Sequence, residues 1–218
     1  MQSSISFSSA EEKLYSAVLA DILDDLGFRH QALEPSIRPI GSPFKLVGRA
    51  FTILATDVYE TPERPYVTEL EAVDHLSEGD VVVATTNGST SSALWGELLS
   101  TAARSKGARG AVIDGLTRDS IKIMEMGFPV FTRGYSPLDS KGRMDVISYG
   151  VPIRCGGVLV RPGDIVFGDH DGVVVIPRDV SDEALLRAVD KASGEDEMRQ
   201  ALKQGMGVME AYNKYGIL

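Results

Sequence analysis

The chain has 218 residues, a net charge of −9 at pH 7, 43% hydrophobic residues and 24% charged residues. These proportions are typical of a globular protein with a buried core and exclude disorder over most of the chain. The negative charge argues against binding to nucleic acid through its phosphates, and no apolar run approaches the ~20 residues that cross a bilayer. We therefore expect no nucleic-acid partner, no membrane contact and, because the N-terminus lacks a secretory pattern, a cytoplasmic location.

The cysteine and histidine content limits the kinds of metal site that the chain can build. Cys155 is the single cysteine, which excludes an internal disulfide framework and a cysteine cluster for zinc. The three histidines are scattered along the chain. A metal ion would therefore be held mainly by oxygen ligands, which points to Mg²⁺, Mn²⁺ or Ca²⁺.

The N-terminal part predicts a helix followed by an irregular segment and the first strand. Serines precede glutamates at capping-box spacing, apolar residues follow at helical period, and Gly27 ends the run. Proline and glycine then interrupt the pattern, before an apolar run and a short amphipathic segment. The predicted elements are a helix over 9–26, an irregular crossing over 28–45, a strand over 45–59 and a helix over 67–76.

Strands and helices alternate in the middle of the chain. Short β-branched runs are separated by amphipathic segments, which is the order of a parallel, right-handed α/β unit. In the segment 93–106 we expect Leu94, Leu98, Leu99 and Ala102 to face inward. The predicted elements are strands over 81–85, 110–114 and 129–132, a polar loop over 86–92, helices over 93–106 and 119–126, and a tight turn over 115–118.

The last third changes from β-rich to helical. Residues 151–177 contain short β runs divided by Gly-Gly, Pro-Gly-Asp and Asp-Gly turns. The helices that follow are predicted over 181–192, 195–204 and 206–215. We interpret residues 1–180 as a single α/β core domain and residues 181–218 as a helical tail. The tail either wraps its own domain or reaches a neighbouring subunit.

The candidate chemistry lies in two neighbouring segments, since dinucleotide, P-loop, zincin and serine-hydrolase motifs are all absent. Arg118 and Asp119 follow a buried strand, at the sheet edge where open α/β sheets bind ligands. A φ > 0 position at Asp114-Gly115 would expose both side chains together. Arginine suits a carboxylate or enolate oxygen, and aspartate suits a hard divalent cation.

The second segment is the start of the helix at Gly96–Leu98, where unpaired backbone N–H groups can bind an anion. Ordinary structural roles remain open for all of these residues. Arg118 and Asp119 are also consistent with an exposed pair that caps a helix, Gly96 with close packing, and Glu97 with a solvated helix face. Cys155 is expected to be a core residue.

Two blocks of the sequence resemble a known family. They are LWGELLSTAARSKGARGAVIDGLTRD and PIRCGGVLVRPGDIVFGDHDGVVVIP. The blocks are similar to motifs of the family that contains 4-hydroxy-4-methyl-2-oxoglutarate/4-carboxy-4-hydroxy-2-oxoadipate aldolase and the regulator of ribonuclease E activity A. The resemblance covers about residues 10–205. It implies an αββα sandwich of the swivelling phosphohistidine-domain type with a C-terminal helical extension, assembled as homotrimers or homohexamers.

The resemblance also implies roles for individual residues. Asp119 matches the residue that binds a divalent metal, Mg²⁺ or Mn²⁺, and Glu97 matches a carboxylate that acts on that metal through water. Arg118 and the backbone of Gly96, Glu97, Leu98 and Leu99 match the groups that hold pyruvate. A neighbouring subunit's glutamate completes the family's site, and Glu195 is the best match to it.

These roles predict a class II aldolase that cleaves a 4-hydroxy-2-oxo acid to pyruvate and decarboxylates oxaloacetate as a side activity. No lysine lies at the candidate catalytic positions, which argues against a Schiff-base aldolase. The alternative is a non-catalytic regulator that binds an RNA-degrading enzyme. Regulators of this kind are shorter and usually lack an extension like residues 181–218, which favours the aldolase.

Overall fold

The computed structural model describes residues 5–217 as a mixed α/β fold with a nine-stranded sheet. The helices are α1 (Phe7–Lys13), α2 (Ser16–Asp25), α3 (Val67–Asp74), α4 (Glu97–Ser105), α5 (Ser120–Met126), α6 (Ser181–Lys203) and α7 (Val208–Tyr215). The strands of the large sheet are β1 (Arg38–Pro39), β2 (Leu46–Asp57), β3 (Asp80–Thr85), β4 (Ala93–Trp95), β5 (Gly110–Thr117), β6 (Val130–Tyr135), β7 (Met144–Tyr149), β10 (Ile165–Asp169) and β11 (Gly172–Ile176). A separate hairpin pairs β8 (Ile153–Cys155) with β9 (Val158–Val160).

The predicted parallel unit forms the centre of the large sheet. The strand order is β1-β6-β5-β3-β2-β10-β11, and the pairs β2–β3, β3–β5 and β5–β6 are parallel. The two ends of this order approach each other, because Ala32 bridges to Val174 of β11 and Arg38 of β1 donates to the carbonyl of His170. The sheet is therefore nearly closed and barrel-like. The α/β class is confirmed, and the swivelling phosphohistidine-domain type stays a prediction.

Three apolar clusters hold the layers together. The first packs α3, α4 and α5 on one face of the parallel strands. The second lies between those strands and the β8–β9 hairpin, and Cys155 is buried there, as expected. The third packs α1, α2 and the first half of α6 against β10 and β11. The beginning of the C-terminal tail therefore packs on its own core domain, whereas its place at a subunit interface stays a prediction.

The single helix predicted over 9–26 is wrong, because two helices meet at an extended break. Leu14 and Tyr15 have extended backbone between α1 and α2. The buried carboxylate of Asp169 accepts hydrogen bonds from the backbone N–H and the hydroxyl of Ser16, each at 2.7 Å. The bond to Asp169 replaces the one that the Ser16 N–H would make within a continuous helix, so a new helix starts at Ser16.

The helix predicted over 93–106 begins later than expected. Ala93–Trp95 is strand β4, which extends the sheet beside the end of β5, and α4 starts at Glu97. Leu98 does not face inward as predicted, since 75% of it is exposed. Ser100 and Ala103 are the fully buried residues of α4 instead. The apolar pattern over 93–106 therefore arises from a strand followed by a helix and not from one continuous helix.

The tight turn predicted over 115–118 is also wrong, because β5 continues through Thr117. Gly115 has no positive φ, in contrast to the prediction for Asp114-Gly115. A Cβ on Gly115 would come within 2.5 Å of Thr86 Cγ2. The glycine is therefore explained by the close approach of the loop after β3.

The C-terminal helices differ from the prediction at Gly194. The break predicted between 192 and 195 is absent, and α6 runs continuously from Ser181 to Lys203. A Cβ on Gly194 would meet Ile217 Cδ1 at 2.5 Å. The glycine therefore gives room for Ile217 to pack against the helix.

None of the helices within residues 5–217 combines the length and the apolar character that a membrane span requires.

Candidate active site

A cleft of about 280 Å³ lies where β4 and β5 end against α3 and α4. Because β4 and β5 are parallel, their carboxyl ends meet at this edge of the sheet. The segments that follow them carry the sequence-predicted residues Gly96, Glu97 and Arg118 to the cleft wall. Leu98, Leu99 and Asp119 line the same cleft, so the structure brings these six candidates together.

Arg118 and Asp119 stand at the end of β5 in a constrained arrangement. Asp119 has φ of +57° and precedes α5, so the left-handed turn predicted near Gly115 occurs at Asp119. Arg118 lies between two carboxylates: its Nη1 donates to Asp139 at 2.9 Å, and its Nε is 3.5 Å from Asp119. All three side chains are more than half buried. The guanidinium is therefore held at the cleft rather than free in solvent.

The start of α4 lies directly against this pair. The backbone N–H of Glu97 donates to Asp119 Oδ2 at 3.3 Å. A Cβ on Gly96 would be 3.0 Å from the same oxygen and 3.2 Å from Arg118 Cγ, which explains the glycine. The N–H groups of Leu98 and Leu99 belong to the first helical turn and have no intrahelical acceptor. They are suited to bind a small carboxylate in the cleft.

Buried hydrogen bonds fix the first turn of α4. Trp95 is buried, and its indole N–H donates to the Ser100 hydroxyl at 2.8 Å. Ser100 in turn donates to the carbonyl of Gly96 at 2.9 Å. These two hydrogen bonds thus anchor the Gly96–Leu99 segment, which is predicted to contact the substrate. Trp95 is therefore a core residue.

The carboxylates present fit one hard divalent cation with few protein ligands. Glu97 lies on the cleft wall, and its side chain accepts a bond from Thr101 at 2.8 Å. No group of three or more His, Cys, Asp or Glu side chains placed for a metal ion occurs within residues 5–217. Mg²⁺ characteristically uses one or two carboxylates and completes its shell with water and substrate oxygens. Asp119 and Glu97 supply two carboxylates at the cleft wall, which is the number that Mg²⁺ uses.

Glu195 does not line the cleft of its own chain. It lies on α6, where its carboxylate accepts a hydrogen bond from the Tyr15 hydroxyl and is 3.9 Å from Arg199. Burial and this bond raise the pKa of Tyr15 above its ordinary value. The contribution of Glu195 to a neighbouring subunit's site stays a prediction.

Three polar residues of the cleft are Tyr66, Glu69 and Asp139. Sequence reasoning singled out neither Glu69 nor Asp139, and it included Tyr66 only within the segment 59–66, one of several candidates for contacting the part of the substrate beyond pyruvate. The Tyr66 hydroxyl donates to Asp139, and Tyr66 itself has φ of +68°, which is rare for an aromatic residue. Burial and the Asp139 bond raise the pKa of Tyr66 to about 12. Although burial alone would raise it, bonds from Tyr66, Arg118 and backbone N–H groups hold the pKa of Asp139 below its ordinary value.

Glu69 could have been found from its position in the helical pattern. It falls on the same helical stripe as Ala72, Val73 and Leu76, and all four residues are buried. A glutamate on an apolar stripe is a signal of a special environment, because a buried charge is costly. Asp139, in a polar loop after β6, carries no such signal.

Asp114, which lies on β5 upstream of Arg118, belongs to a separate buried network. It pairs with Arg133, which also pairs with Glu34 at 2.7 Å, and it accepts the N–H of Gly156 at 2.6 Å. Burial raises the pKa of Cys155 well above its ordinary value, which disfavours the reactive thiolate. This network therefore stabilises β5 at Asp114, and it does not contribute a nucleophile.

Comparisons with known proteins identify relatives of this chain. A protein from Halalkalibacterium halodurans named "Putative 4-hydroxy-4-methyl-2-oxoglutarate aldolase" is 30% identical over 97% of this chain and 95% of its own length. Protein DlpA from Legionella pneumophila is 30% identical over 92% of this chain but only 32% of its own length.

A solved structure and a family model extend the similarity to the fold. Streptomyces coelicolor RraAS2, an unusual member of the RNase ES inhibitor RraA protein family, superposes with a TM-score of 0.78 and 29% identity, covering 87% of this chain and 93% of its own. The model of the RraA-like family, described as Aldolase/RraA, matches residues 16–175. The chain therefore belongs to the RraA-like family.

Proposed function

We propose that the protein is a divalent-metal-dependent, class II aldolase that cleaves a 4-hydroxy-2-oxo acid and releases pyruvate. The observation that carries this proposal is the placement of Arg118 and Asp119 against the N-terminus of α4 in one cleft. The similarity to a protein named as an aldolase supports the same reaction class. Decarboxylation of oxaloacetate is proposed as a side activity, since it passes through the same pyruvate enolate.

The chain's own residues supply most of the required steps. The N–H groups of Leu98 and Leu99 and the guanidinium of Arg118 bind the carboxylate and 2-oxo group of the substrate. Arg118 also stabilises the negative charge that develops on the 2-oxo oxygen as the C3–C4 bond breaks. Asp119, with Glu97 acting through water, would hold Mg²⁺ or Mn²⁺. When bound, such an ion polarises the 2-oxo group and acidifies water.

The site is proposed to form between subunits of a homotrimer or homohexamer. Large apolar residues are exposed around the cleft, and they include Leu70, Leu98 and Leu138. Exposed apolar patches of this kind mark interaction surfaces. A neighbouring subunit's Glu195 is proposed to add a further carboxylate to the metal site.

A coupled assay with lactate dehydrogenase tests the reaction. We expect pyruvate release from 4-hydroxy-4-methyl-2-oxoglutarate or from oxaloacetate with Mg²⁺ or Mn²⁺, and its loss with EDTA. Turnover that EDTA leaves unchanged would contradict the metal dependence. Absence of turnover of both compounds with either metal would contradict the aldolase.

A regulator that binds an RNA-degrading enzyme is the second candidate, and the similarity to RraAS2 favours it. It predicts capture of this chain by the C-terminal region of such an endonuclease and no release of pyruvate. The Gly96, Arg118 and Asp119 arrangement has no evident purpose in a docking protein, which is why we place the aldolase first.

Gly96 provides a test of the arrangement itself. Replacing Gly96 with alanine should lower kcat/KM at least tenfold, because the new Cβ displaces Asp119 and Arg118 and small misplacements of catalytic groups cost up to ~10²-fold. Gly134→Ala is the matched control, since its Cβ would meet only Leu116 Cδ2, at 3.4 Å. Equal activity of the two variants would show that the contact with Gly96 is unimportant.

A further inference from the structure

Glu69 is a buried carboxyl group in the wall of the cleft that the proposed mechanism does not use. Only 7% of the residue is exposed, and it lines the cleft together with Arg118 and Asp119. Within residues 5–217 the structure shows no hydrogen bond or ion pair to its carboxyl group. Its oxygens are not fully enclosed by protein, so the carboxyl group opens into the cleft. A carboxyl group that is largely removed from solvent and has no partner calls for a functional explanation.

The surroundings of Glu69 favour its protonated form. Asp139 from the loop after β6 and Asp145 from β7 face it with negative charge, and Arg118 from β5 faces it with positive charge. Burial, followed by these two carboxylates, raises the pKa of Glu69 to about 7, and Arg118 opposes this shift. A group of this kind both donates and accepts a proton near neutral pH.

Asp139, in the same cleft, is set up in the opposite way. Its carboxylate accepts the Tyr66 hydroxyl and pairs with Arg118, and these bonds keep it ionised. Asp139 is thus a carboxylate fixed as an anion, and Glu69 is a carboxyl group free to exchange its proton. Two carboxyl groups whose environments separate their protonation states mark the acid and base roles of an active site.

We propose that Glu69 is a further catalytic residue, which protonates C3 of the pyruvate enolate during cleavage and removes a methyl proton of pyruvate in reverse. The inference rests on the proposed aldolase function. As the C3–C4 bond breaks, its electron pair remains on C3 as the enolate, and a water molecule ordered by the carboxylates takes the C4 hydroxyl proton. The Glu69 O–H then gives its proton to C3, which forms the methyl group, and solvent restores both proton carriers.

Exchange of the pyruvate methyl protons with D₂O, followed by proton NMR in the presence of Mg²⁺, isolates this step from the rest of the substrate. We expect the wild-type protein to catalyse exchange and Glu69→Gln to slow it at least ~10²-fold, the typical contribution of a general acid–base group. Glu71→Gln is the matched control, because Glu71 lies on the same helix and is exposed. It should exchange at the wild-type rate.

Two further measurements separate catalysis from a structural role. Pyruvate affinity, measured by calorimetry, should change less than threefold in Glu69→Gln. The wild-type exchange rate should rise with pH as the Glu69 carboxyl group ionises, since proton removal needs the carboxylate, and the variant should lack this rise.

The outcomes are distinguishable. Wild-type exchange rates in Glu69→Gln would overturn the role of Glu69 and leave the aldolase proposal intact. Loss of pyruvate binding together with exchange would also overturn it, in favour of a structural role. A wild-type protein that binds pyruvate without exchange would contradict the proposed function itself.

Discussion

Replacing Arg118 with lysine should lower kcat/KM for pyruvate release by about 10²- to 10³-fold, the typical cost of losing one donor to a developing oxyanion. A lysine ammonium has no planar fork, so it cannot contact Asp119 and Asp139 together while also facing the substrate. The coupled pyruvate assay measures the loss. Arg154→Lys, at an exposed position on β8, should retain full activity.

The companion change, Asp119→Asn, should lower turnover on the order of 10³-fold and reduce the response to added Mg²⁺, because the charge stabilisation that a bound metal ion supplies is worth several kcal/mol. Asparagine tolerates the left-handed backbone of Asp119, so the variant removes the charge and keeps the turn. Asp74→Asn, at an exposed position, is its control. Full activity of either Arg118→Lys or Asp119→Asn would show that enolate chemistry takes place elsewhere or not at all.

Glu69→Gln should make the metal-free protein more stable at pH 8 by up to ~3 kcal/mol, since each pKa unit corresponds to ~1.4 kcal/mol. The pKa of Glu69 is about 7 in the folded protein, against 4.5 for an ordinary glutamate. Between these values the folded state binds more protons than the unfolded state, so stability falls as the pH rises from about 4.5 to 7. Above that range the full cost of the buried charge is present, and glutamine avoids it.

The free energy of unfolding, measured with urea at pH 5 and pH 8 in EDTA, tests this prediction. At pH 5 Glu69 is protonated in the folded protein, and the variant should gain little. Glu71→Gln should shift the free energy of unfolding by no more than ~0.5 kcal/mol at either pH, as is usual for surface positions. A gain for Glu69→Gln that is equal at both pH values would show that the buried charge is not the cause. A gain at pH 8 alone, with the loss of proton exchange, would show stability traded for catalysis.

The central sheet could be predicted from the sequence because its signals are local. β3 and the start of β5 are short β-branched runs, and the alternation with helices specifies parallel pairing. The errors arise where distant contacts decide the local structure. Asp169 breaks the first helix at Ser16, and Thr86 explains the glycine at 115. Neither contact leaves a trace in the neighbouring sequence.

The residues that line the candidate cleft could be predicted to a similar degree and for the same reason. Arg118, Asp119 and the Gly96–Leu99 segment are found from spacing and resemblance, since they follow strands that are recognisable. Tyr66 and Asp139 enter the cleft from segments whose course depends on the tertiary fold. Glu69 was within reach of sequence reasoning, because it lies on the buried side of α3.

The left-handed backbone at Asp119 limits how this site can change without loss of the fold. Glycine, asparagine and aspartate are the residues that adopt this conformation readily, and only aspartate among them carries a charge. A lineage under selection for folding alone would therefore drift to glycine or asparagine at this position, and its members would keep the turn but lose the chemistry. Under the proposed aldolase function, the residue at position 119 would therefore separate catalytic from purely docking members among proteins of this fold.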